Sequence, residues 1–94
     1  MDFKDKQYSY DEILDLPQKI ALEKGKKFIV SRFADTGKII SDSVALLITQ
    51  KVDCHPYYVQ QLSQLAWLRT KKSCDASIVE DAFESLVGQL SFAV

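Results

Sequence analysis

The sequence predicts an all-α fold, a compact four-helix domain preceded by a short N-terminal arm or strand. Apolar residues recur at helical spacing from Gln18 onward. Helix start and stop signals at Gly37, Ser41, Pro56 and Asp75 divide that stretch into four. The chain has 94 residues, 47% hydrophobic and 27% charged, which is the balance of one ordinary globular domain.

Residues 1–17 read as the arm, with Tyr8, Tyr10, Ile13, Leu14 and Leu16 scattered among charges and Pro17 closing the stretch. Residues 18–94 form the helical domain. Its first helix covers 18–35, with Leu22, Phe28, Ile29, Arg32 and Phe33 at i, i+3/i+4-type spacings. Gly25 marks a possible break, since glycine inside a helix costs about 1 kcal/mol relative to alanine. Gly37 is placed to end this helix in the left-handed conformation. Ser41 then caps a second helix over 42–52, whose Val44, Leu47, Ile48 and Val52 make one stripe.

Pro56 opens the third helix, because a proline in the first turn lacks only an N–H that would have no partner there. His55 takes the capping position, and the helix ends near Thr70, ahead of Lys71 and Lys72, two cations that suit a helix C-terminus. Tyr58, Val59, Leu62, Leu65 and Ala66 form its main stripe. Tyr57, Trp67 and Leu68 fall on the opposite side, among Gln60, Ser63 and Gln64. A helix apolar around most of its circumference belongs in the middle of a bundle or against a partner. Asp75 caps the fourth helix, which carries Ile78, Val79, Ala82, Phe83, Leu86, Val87 and Leu90 on one broad face. No repeat of 20–50 residues is visible in the residue pattern.

The segment Thr36-Gly37-Lys38-x-Ile40, followed by His55-Pro56-Tyr57-Tyr58-Val59-Gln60-Gln61-Leu62, resembles the C-terminal helical lid of bacterial and archaeal P-loop ATPases of the AAA+/STAND-like "archaeal ATPase" family. The likeness extends to Phe28-Ile29-x-x-Arg32-Phe33 upstream and Ile78-Val79-Glu80-Asp81-Ala82 downstream, covering residues 16–90. Asp53 and Cys54 stand where that family usually has glycines, so the backbone there is expected to differ. The resemblance implies a lid that closes over bound nucleotide, with His55, Pro56 and Tyr57 as the nucleotide-binding residues. It also implies ATP and magnesium as cofactors of the parent protein rather than of this chain. The implied partner is a missing ATPase core, which residues 1–17 would join, and the isolated lid is expected to self-associate through the face it would bury there. For His55 the alternatives are a ring that caps the helix and a ring that meets the ligand.

Other chemistry is weakly represented. Gly25-Lys26-Lys27 and Gly37-Lys38-Ile39 lack the earlier glycine and the following hydroxyl of a phosphate-binding loop, so no ATP hydrolysis is expected from the chain itself. Cys54 and His55 are adjacent, whereas catalytic Cys/His pairs are distant in sequence. Asp53, Cys54, His55 and Cys74 match no zinc spacing. No catalytic residue and no metal ligand is therefore nominated. The two cysteines are expected to be free thiols, as in reducing compartments.

Net charge is −1, which provides no general attraction for nucleic acid or membrane. The sequence has no transmembrane run, and Asp2, Lys4, Asp5 and Lys6 interrupt any signal-peptide pattern, so a cytoplasmic location is expected. Residues 28–72 hold six basic against three acidic residues, and 73–94 hold four acidic and none basic. The alternative function is a free-standing helical protein-interaction module or helix-turn-helix accessory domain. A helix-turn-helix reader should present a basic helix, and the Pro56 helix carries only Arg69.

Overall fold

The computed structural model describes residues 17–91, with side chains through Gln89, so the arm expected over 1–17 lies outside the described residues except for Pro17. Four helices and two short strands follow one another: α1 (Gln18–Asp35), β1 (Ile39–Ile40), α2 (Asp42–Lys51), α3 (Pro56–Arg69), β2 (Ser73–Cys74) and α4 (Ala76–Ser91). The fold is all-α, as the sequence predicts, with the strands forming a two-residue parallel pair at one end.

Local signals account for the boundaries. Gly37 ends α1 at φ 80°, where its N–H donates to the Ala34 carbonyl and that of Lys38 to Phe33. This is the Schellman closure, in which a left-handed residue lets the chain turn back onto the last carbonyls. Ser41 caps α2 by accepting from the Val44 N–H at 3.3 Å. Asp75 caps α4 by accepting from the Ile78 N–H at 3.0 Å. Gly25 makes no break; it is buried within a continuous α1.

The core is assembled from Ala21, Ile29 and Phe33 of α1, Ile40 of β1, Ala45 and Ile48 of α2, Val59, Leu62 and Ala66 of α3, Cys74 of β2 and Val79, Ala82 and Leu86 of α4. On α3 the buried face is rotated from the apolar stripe. Gln60 and Ser63 are buried with Val59, Leu62 and Ala66, whereas Tyr58 and Leu65 are half-buried. Small polar residues can enter because their polar atoms bond locally, as when the Ser63 hydroxyl donates to the Gln60 carbonyl.

The chain folds as two equivalent halves, α1-β1-α2 and α3-β2-α4. The parallel register pairs Ile39 with Ser73 and Ile40 with Cys74, a constant separation of 34 residues. The same separation carries Thr36 onto Thr70, whose hydroxyls donate to the carbonyls of Arg32 and Ala66 four residues back. It carries the Ser41 cap onto the Asp75 cap, and buried Ala45 and Ile48 onto buried Val79 and Ala82. The structure thus reveals a repeat that residue identities conceal. The equivalence is one of hydrogen-bonding role and burial, and serine and aspartate cap equally well.

Candidate functional site

The three residues nominated from the resemblance lie together at the start of α3. Pro56 is the first helical residue, and its side chain is fully buried. Tyr57 is 48% exposed and His55 is also exposed, so these two present their side chains to solvent. The His55 ring lies 4.9 Å from that of Tyr58, which meets Tyr57 edge-on at 5.2 Å.

His55 occupies the capping position, but its ring makes no capping hydrogen bond. The first intrahelical bond runs from the Val59 N–H to the His55 carbonyl at 2.8 Å. Helix geometry therefore leaves the Tyr57 and Tyr58 amides without an intrahelical acceptor. The first turn holds no acidic residue. α2 differs on both counts, with the Ser41 cap and Asp42 in its first turn.

The turn that delivers the chain to this site is built from Val52 to His55. The Asp53 N–H donates to the Gln50 carbonyl and that of Cys54 to Thr49, a second Schellman closure. Asp53 has φ 52° and Cys54 φ 60°. Both residues adopt the left-handed conformation that glycine takes more readily, at about 1 kcal/mol each. The amides of this turn are occupied by helix carbonyls, so the free donors beside it are those of α3.

Neither thiol is poised for nucleophilic work. Burial raises the Cys54 thiol above its ordinary value, with the Asp53 charge adding to the effect. Burial likewise raises Cys74, with the neighbouring Thr70 hydroxyl acting in the opposite direction and the Asp75 charge adding to the rise. Both cysteines are free. Among the described residues no group of three His, Cys, Asp or Glu side chains could hold a metal ion. No described helix is long and apolar enough to cross a membrane. An open cleft of about 300 Å³ lies between α1 and α2, lined by Lys26, Lys27, Val30, Ser31 and Asp42. Lys26 is paired there with Glu23 at 3.0 Å and Asp42 at 3.8 Å.

A second cluster escaped the sequence reading. Trp67 is half-buried rather than turned away from the core. Its indole N–H donates to the Thr36 hydroxyl at 2.7 Å, and its carbonyl accepts from Lys38 Nζ at 2.7 Å. The same ammonium stands 4.2 Å from the centre of the Trp67 ring. This clasp ties the end of α3 to the loop between α1 and β1. Beside it Ile39 is 62% exposed and Leu68 59% exposed. The Thr36-Gly37-Lys38 spacing was visible in the sequence; its pairing with a tryptophan about thirty residues on was not.

Comparison with known proteins finds no matching family model, no matching curated protein and no matching solved structure.

Proposed function

We propose that this chain is the helical lid of a P-loop ATPase, closing over nucleotide held by a catalytic core that supplies the phosphate-binding loop and magnesium. The observation that supports the reading is the exposed, uncapped N-terminus of α3. There, two backbone amides have no capping acceptor, and the exposed side chains of His55 and Tyr57 lie beside a tight left-handed turn. Helix N-termini favour anions through such amides and through the helix dipole. In this scheme His55 and Tyr57 make the ligand contacts. Pro56, being buried, fixes the direction of α3. Contacts made only with nucleotide present would shift the domain between open and closed arrangements relative to its core. The chain itself performs no hydrolysis, and its other proposed contact is with a second copy of itself.

The test is nucleotide calorimetry on the parent protein, alongside melting curves without ligand: His55→Ala is expected to lower nucleotide affinity while leaving stability nearly unchanged. The isolated 94-residue chain is expected to bind no Mg-ATP and to release no phosphate, because the phosphate-binding parts are absent from it. Equal loss of stability and affinity in the variant would remove the site assignment. The reading as a protein-interaction module draws on Ile39 and Leu68, exposed next to Lys71 and Lys72, and would survive that failure.

A further inference from the structure

We propose that the Val52–His55 turn is a hinge through which two copies of this chain exchange halves. In the exchanged dimer α3-β2-α4 of one copy docks on α1-β1-α2 of the other. The inference rests on the internal repeat and the turn geometry, and not on any nucleotide.

The first ground is the division of contacts. α1 packs chiefly on α2, and α3 chiefly on α4, so each half holds its own helix pair together. The halves meet through helix packing in the shared core, chiefly α2 on α4 with smaller contacts of α3 on α1 and α2, and through the Ile39–Ser73 and Ile40–Cys74 register, the Trp67 clasp on Thr36 and Lys38, and the Lys51–Glu80 ion pair at 2.9 Å. Every one of these links can form between chains without alteration. A second copy is the occupant because it brings the matching half, including the indole that Thr36 and Lys38 receive.

The second ground is the connection itself. Between α2 and α3 the chain has only Val52, Asp53, Cys54 and His55, and the two central residues both hold positive φ without being glycine. Such residues return to the extended region when a turn opens, so opening relieves strain that the closed form retains. Asp53 and His55 are exposed, and the half-buried Val52 and Cys54 supply the turn's apolar contacts with the core, so the apolar surface given up in the movement is confined to these two side chains. Pro56 prevents α2 and α3 from merging into one helix, which keeps an opened connection extended. Exchange of an identical element is a low-cost route to a dimer under these conditions.

The experiment concentrates the full chain through a partial unfolding and refolding cycle and measures mass by sedimentation. The expected product is a dimer that persists on dilution and is insensitive to salt. In the variant D53G/C54G, whose closed turn is unstrained, the dimer fraction should fall about tenfold. To locate the contact, chains carrying Ile39→Cys are mixed with chains carrying Ser73→Cys, both with Cys54→Ser and Cys74→Ala, and cycled together. A disulfide-linked heterodimer supports exchange, because the two positions are register partners. A variant lacking Asp53 and Cys54 should be an obligate dimer. A folded monomer from that deletion overturns the proposal, as does a wild-type dimer fraction that D53G/C54G leaves unchanged. A dimer that dissociates as salt rises, and forms no cross-link, would instead be side-by-side association of the acidic α4 face with Lys71 and Lys72; that result also overturns it.

Discussion

Gly37 and Asp53 hold the same place at the ends of α1 and α2, each one residue past the cap and each with positive φ. The glycine was legible as a terminator because its missing Cβ makes the conformation inexpensive. The aspartate was not, since nothing in its identity requires a left-handed backbone. Asp53→Gly should therefore raise stability by ~0.5–1 kcal/mol, the strain relieved less the added freedom of the unfolded chain. Urea denaturation checks this, and a loss of stability would mean that the carboxylate has a compensating contact. Arg32 makes a second case at this scale. Its side chain is fully buried, with Nη1 3.1 Å from the Asp35 carboxylate. The helical stripe placed it on the buried side, but a pattern cannot show whether a charge is buried along with its stem. Arg32→Ala should cost about 3 kcal/mol, and Arg32→Met, which refills the space without a charge, much less. Equal losses for the two variants in the same denaturation assay would show that the charge rather than the volume is required.

The elements themselves were largely readable: three of four helix starts carry a local signal, and α1, α2 and α3 end within a residue of their expected positions. The faces were less so, because polar residues that bond locally, such as Ser63, look exposed in a pattern and are buried in the fold. The caps also make helices respond differently to acid. Asp75 accepts from the Ile78 amide and from the Ser77 hydroxyl, and these bonds hold its carboxyl below the usual carboxylate range. The folded-state value lies below the unfolded one, so the stabilisation is fully present above the ordinary carboxylate range and is lost as pH falls through the lower folded value. Asp75→Asn should keep the cap and reduce the acid dependence of stability in that window. Thermal melts of both proteins across the acidic range measure it, and identical slopes would count against the assignment. Ser41, the equivalent cap in the other half, carries no such dependence.

For the whole molecule, fold class and helix order followed from the sequence, while the two-half organisation required coordinates. The signature of the repeat lies in pairs such as Ser41 with Asp75 and Ile40 with Cys74, which agree in role and differ in identity. Of the candidate site, the position of His55, Pro56 and Tyr57 at a helix start was legible, but the burial of Pro56 and the uncapped amides were not. The paired strands also set the order of events when the chain folds. Contacts inside each half close short loops, whereas β1 and β2 meet only across a long one, and loop closure must be paid before such contacts return anything. The halves should therefore form early and dock late. In kinetic terms, Ile40→Val, at the meeting of the halves, should mainly accelerate unfolding and give a φ-value near zero. Val79→Ala, with its α4 neighbours, should slow refolding and give a higher one. Stopped-flow chevrons using the single tryptophan as the probe would separate the two, and a high φ-value at Ile40 would reverse the order.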